Sequence, residues 1–120
     1  MSVVVGVATR GGAAIAADGI HYKLLDGQLV RGADIVKVAR AGAHAVGVAG
    51  VIAHDGTNFL DVLASVLPQC SEPGEALDAF LVACGTQFAN AFAEWRQVPV
   101  FSGESPRRFF EAVLAWRDAR

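Results

Sequence analysis

The chain has 120 residues, a hydrophobic content of 53% and a formal net charge of −2, with a mean hydropathy of +0.40 and a pI near 5.8. That length is one domain, and the slightly acidic balance argues against nucleic acid as a partner. No uninterrupted apolar run reaches the roughly 18 to 20 residues of a membrane span, and no basic stretch precedes an apolar one at the start, so neither a membrane partner nor a signal peptide is expected.

Residues 2–9 (SVVVGVAT) are β-branched and apolar on both faces, which predicts a strand covered on both sides. "RGG" at 10–12 supplies a turn, and 13–18 (AAIAAD) the return strand. A tight turn near Arg10–Gly11 sets Ser2 within a residue of Asp18, both at the open end of the hairpin. Residues 19–33 are mixed, with a turn marked by Asp26–Gly27. A second β-pair follows over 34–40 and 43–50, turning at Ala41–Gly42, and Lys37 lies between two valines inside its first strand.

After Gly50 the period changes. Over 55–67, Phe59, Leu60, Leu63, Val66 and Leu67 mark an amphipathic helix with Asp55 as its cap and Pro68 as its end. Residues 71–95 predict one long helix capped by Ser71, with a stripe of Leu77, Phe80, Leu81, Cys84, Phe88, Phe92 and Trp95 read as core rather than as a binding face. Gly85 weakens it by about 1 kcal/mol relative to alanine. Beyond Pro99, Ser105–Pro106 opens a third helix with Phe109, Phe110, Val113 and Leu114 on its apolar face. The expected architecture is α+β in a single domain over 1–120, β-rich over 1–50 and helical over 51–120, with one sheet and helices on one face.

Cys70 and Cys84 have neither disulfide-framework nor metal-ligand spacing; they read as small hydrophobes in a reducing, cytoplasmic setting. His21, His44 and His54 fit no metal-binding pattern, so neither metal nor cofactor is expected.

Three segments carry a resemblance. "SVVVGVATRGGAAIAADG", "GADIVKVAR" and "AVGVAG", with the helices after them, resemble the N-terminal half of proteasome β-type subunits and of the bacterial HslV peptidase, across residues 2–95 or so, with spacing adjusted by a few residues in the loops. These are N-terminal-nucleophile (Ntn) hydrolases. The resemblance implies an αββα sandwich, here a partial one with one β-sheet and about three helices, because "VPVFSGESPRRFFEAVLAWRDAR" replaces the second sheet of the relatives. It implies Ser2 as the nucleophile once Met1 is removed, in place of the family's usual threonine. Lys37 and Asp18 become the activating pair, and Gly50 supplies an oxyanion-hole N–H.

The chemistry suits those residue types. A serine hydroxyl needs a base at hydrogen-bonding distance, and a terminal α-amine with a pKa of roughly 7.7–8.0 is one. A neighbouring lysine favours the alkoxide, and an aspartate keeps that lysine charged. The implied partners are a peptide or amide substrate, further copies of the chain in a homo-oligomer, and an ATPase unfoldase. Each residue also has a purely structural reading: Ser2 a polar strand start, Asp18 a turn residue before Gly19, Lys37 a snorkelling side chain, Gly50 a hinge. On that reading the chain is a non-catalytic structural or assembly subunit that keeps a degenerate form of the fold. A small-molecule-binding α+β domain has no motif behind it.

Overall fold

The computed structural model describes residues 3–26, 28–98 and 109–117. Strands β1 (Val4–Thr9) and β2 (Gly12–Ala17) form the first hairpin, with Val4 opposite Ala17 and Thr9 opposite Gly12. The Thr9 hydroxyl accepts the Gly11 N–H at 3.2 Å and donates to the Gly12 carbonyl, which closes the two-residue turn. A second hairpin, β3 (Tyr22–Leu25) and β4 (Gln28–Arg31), occupies the stretch that reads as mixed in sequence. β5 (Val38–Ala41) and β6 (His44–Gly50) follow, then a small β7 (Ala53–His54) and β8 (Thr57–Asn58) pair. Helix α1 (Phe59–Val66), a 3₁₀ turn over Leu67–Gln69 and helix α2 (Pro73–Trp95) lead to β9 (Phe110–Ala115).

The expectations for the sheet and for the third helix need correction. The sheet is not one: among the described residues β1–β2, β3–β4 and β7–β8 each pair separately, and the order β5–β6–β9 makes a three-stranded sheet. The third helix is a strand over the residues described: Phe110–Ala115 pairs antiparallel with β6, Gly47 opposite Val113 and Val46 opposite Leu114. Its predicted start at Ser105–Pro106 and the break at Pro99 lie outside the described residues. The apolar run misleads because both faces of β9 are used. Phe110 and Leu114 pack toward the helices, whereas Val113 faces the hairpin at Gly6. A strand covered on both sides loses the alternation that separates it from a helix.

Three layers result. α1 and α2 cover one face of β5–β6–β9, and the β1–β2 hairpin covers the other. Phe59, fully buried, sits at the centre of the helical layer, edge-on to Phe80, Phe88 and Phe110. The hairpin approaches closely because Gly47 has no side chain: a Cβ there would lie 2.5 Å from Ile15 and 2.6 Å from Val4. The expected cover on both faces of β1 is not found, since Val3, Val5 and Val7 are each more than half exposed.

The helix starts also shift. Asn58, not Asp55, caps α1, its side chain accepting the Asp61 N–H at 3.1 Å, while Asp55 sits at φ 47° in the β7–β8 turn. Glu72 stands at the N-cap of α2, with the Ser71 N–H donated to Glu75. The backbone leaves helical geometry at Cys84 (φ −145°), one residue before the glycine expected to weaken this helix.

Gly47→Ala is expected to cost about 1–3 kcal/mol of stability, because both β-branched neighbours are stiff. Phe59→Ala is expected to cost about 3–5 kcal/mol. Urea-denaturation midpoints measure both.

Candidate active site

Asp18 directly follows β2, and the hairpin register carries it to the open end. Its N–H donates to the Val3 carbonyl at 3.2 Å, and its Oδ2 accepts the Val3 N–H at 2.7 Å. Its Oδ1 accepts the Ile20 N–H at 3.1 Å, so the side chain also turns the chain as an aspartate before glycine does. The structural reading of Asp18 and the functional one therefore describe the same carboxylate.

The Asp18 Oδ1 also receives Lys37 Nζ at 2.7 Å. Two backbone bonds bring that lysine in. The Ile35 N–H donates to the Gly19 carbonyl at 3.0 Å, and the Lys37 carbonyl accepts the Val48 N–H at 2.9 Å. Lys37 stands just ahead of β5 rather than inside it. Its side chain is 1% exposed and that of Asp18 27%, so the cation is the buried partner. A snorkelling lysine keeps its head in water; this one does not.

The Lys37 hydrogen bond holds the Asp18 carboxyl below the usual carboxylate range; the Val3 and Ile20 amides act in the same direction and desolvation opposes them. Nearby, His21 Nδ1 is buried against Gly32 with no hydrogen-bond partner among the described residues. Burial lowers its pKa, with Lys23 and Lys37 adding to the effect, so the ring is neutral at pH 7.

Gly50 ends β6 two residues beyond Val48, at the same end of the sheet as Lys37. It has φ +95°, and a Cβ there would overlap the Phe109 carbonyl. The ladder bond at this end runs from the Val51 N–H to the Phe109 carbonyl at 2.8 Å. Gly50 and Phe110 therefore form a non-hydrogen-bonded pair, and the Gly50 N–H lies off the β9 ladder. Ser2, the proposed nucleophile, lies outside the described residues, as does Met1. It is joined covalently to the Val3 nitrogen that Asp18 holds.

No family model, curated protein or solved structure matches this chain.

Elsewhere, His54, Asp55 and Glu94 gather their polar atoms within 4.8 Å of one another. The Trp95 indole N–H donates to His54 Nδ1 at 3.3 Å. That bond uses the Nδ1 lone pair and leaves the ring proton on Nε2, which faces Glu94 at 3.2 Å and Asp55 at 3.4 Å. A cation would need the Nε2 lone pair instead, so the group fits a hydrogen-bonded clasp between the β7–β8 turn and α2. His44 stacks on Trp116 at 3.7 Å and accepts the Arg117 N–H. The Val3 and Ile20 amides and the His54 clasp are absent from the sequence reading. Asp18–Gly19 hinted at the Ile20 bond, whereas nothing in sequence links His54 to Trp95.

Because its folded pKa is depressed, Asp18 contributes stability that is complete above its unfolded value and lost as pH falls through the folded one. Asp18→Asn removes the counter-charge of a buried ammonium and is expected to cost about 3–5 kcal/mol at pH 7. Lys37→Met leaves a partly exposed carboxylate with two amide donors; it should cost less and raise the Asp18 pKa toward its ordinary value. Urea titrations at neutral pH and a carboxyl NMR titration of Asp18 check the two.

Proposed function

We propose that the chain is a hydrolase of the N-terminal-nucleophile type, similar to proteasome β-subunits and HslV, acting on peptide or amide bonds in the cytoplasm. One observation carries the reading: a buried lysine and an aspartate pair at 2.7 Å, and that aspartate grips the amide of Val3, the residue bonded to the candidate nucleophile. The three segments of the resemblance and the position of Gly50 at the same sheet end support it.

On this reading, removal of Met1 frees the α-amine of Ser2. Its Oγ attacks the substrate carbonyl while the amine takes the hydroxyl proton. The tetrahedral oxyanion faces the Gly50 N–H, and the amine returns the proton to the departing nitrogen as the C–N bond breaks. Water then cleaves the Ser2 ester, its proton passing to the amine and on to the serine oxygen. Lys37 stabilises the alkoxide and holds the amine's pKa down, and Asp18 fixes Lys37. No cofactor takes part. The fold would be the partial αββα arrangement, with the three layers described being α, β and β. A homo-oligomer and an ATPase unfoldase are partners by resemblance.

A second reading is favoured by a specific surface: Leu77, Leu81, Val82 and Phe92 on α2 are exposed, which suits a non-catalytic assembly subunit. Phe109 and Phe110, expected on the apolar face of a third helix, pack against the core.

An electrophilic β-lactone or peptide boronate is expected to label one site per chain, on Ser2, in protein whose intact mass lacks Met1. Ser2→Ala should abolish labelling, and Lys37→Ala should slow it by about 100-fold or more while circular dichroism stays native. Retained Met1, or labelling that persists in Ser2→Ala, refutes the catalytic reading and leaves the assembly subunit.

A further inference from the structure

α2 has two apolar faces, and the fold uses one. Ala76, Phe80, Cys84, Ala91 and Trp95 are buried against α1 and the sheet. On the outer side Val82 is 90% exposed, Leu77 62%, Phe92 47% and Leu81 46%. No charged residue occurs between Asp78 and Glu94. The helix is also the described one long and apolar enough to cross a membrane by length and composition, with 22% of its most apolar window buried. A contiguous exposed apolar face of this kind marks a contact surface.

The charges say what covers it. They are confined to the ends of the helix and differ in sign: Glu72, Glu75 and Asp78 at the start, Arg96 at the end. Glu94 beside Arg96 is turned toward His54, whereas the Arg96 guanidinium lies over the half-exposed Phe92 ring at 5.9 Å, a ring that also meets Phe109 edge-on. Gly85 stands near the midpoint, and a Cβ added there would meet nothing nearer than Leu81 Cβ at 4.0 Å. Such a position lets a second helix come close.

We infer that this face binds the same face of a second copy of the chain, α2 against α2, antiparallel about Gly85. Arg96 lies eleven residues after Gly85, and Glu75 and Asp78 ten and seven before it. A two-fold axis near Gly85 therefore brings Arg96 of each copy over the acidic first turns of the other, twice. A parallel pair would set acid against acid and arginine against arginine. The antiparallel contact is isologous and closes as a dimer, its register fixed by the two charge pairs and its energy supplied by Leu81, Val82 and Phe92. The break at Cys84 lies beside the axis, so the contact is made by the two arms of α2 on either side of it, each roughly 16 Å long, or about three turns. The dimer does not depend on Ser2 or on any chemistry at the sheet end.

Sedimentation equilibrium of the full chain tests it. The expected result is a monomer–dimer equilibrium that Val82→Glu weakens by about tenfold or more, with the circular dichroism unchanged because that side chain is exposed. Asp78→Lys and Arg96→Glu should each weaken the dimer, and the two together should recover it. A chain that is monomeric throughout overturns the inference, as does a dimer indifferent to Val82→Glu, or charge reversals that add instead of compensating. Flotation of the chain with phosphatidylcholine vesicles, abolished by Val82→Glu, would overturn it in favour of a lipid surface.

Discussion

The ion pair between Lys37 and Asp18 fastens three pieces of chain that would otherwise be independent. The carboxylate belongs to the first hairpin, caps the strand at Val3 and turns the chain at Ile20. The ammonium comes from the approach to β5, whose carbonyl is bonded to β6. A lysine buried to 1% exposure is tolerable only beside an acceptor of opposite charge, so hairpin and sheet are held at this end by electrostatics. Farther along, they are held by shape, where the missing side chain of Gly47 admits Val4 and Ile15. The charged contact fixes position and the apolar one supplies most of the stabilising burial.

The opposite face of the same sheet is held differently. There, rings meet edge-on around Phe59, and the packing is dense and apolar. The polar element of that layer is His54, nearly buried, tying the β7–β8 turn to the last turn of α2 through Trp95 and Glu94. Anchored at that end and bent at Cys84, α2 has its orientation set from within. Its outer stripe is presented by the fold and is not a consequence of a loose helix.

The sequence was most legible where periodicity and turn chemistry agree. The first hairpin closes at Arg10–Gly11, α1 buries Phe59, Leu60 and Leu63, with Leu67 buried in the 3₁₀ turn after it, and Asp18 reaches Lys37. It was misleading where one pattern serves two geometries. Phe109, Phe110, Val113 and Leu114 have helical spacing, yet a strand with both faces covered carries the same residues. The stripe on α2 read as one face because Leu77, Leu81 and Phe92 lie so near Phe80, Cys84 and Trp95 around the helix; only tertiary packing divides them into an inner and an outer set. The β3–β4 hairpin had only Asp26–Gly27 to announce it. Contacts distant in sequence, such as β6 with β9 or His54 with Trp95, leave no local trace at all.

Gly50 is a glycine for two structural reasons. Its backbone lies where side chains are strained, and its missing Cβ is required by the Phe109 carbonyl. Architecture alone thus dictates glycine here, whatever its N–H does. Any variant of the chain that keeps β9 therefore keeps Gly50. Lys37 and Asp18 are bound to the fold in another way: apolar residues in their place would give up the Val3 and Ile20 hydrogen bonds together with the ion pair.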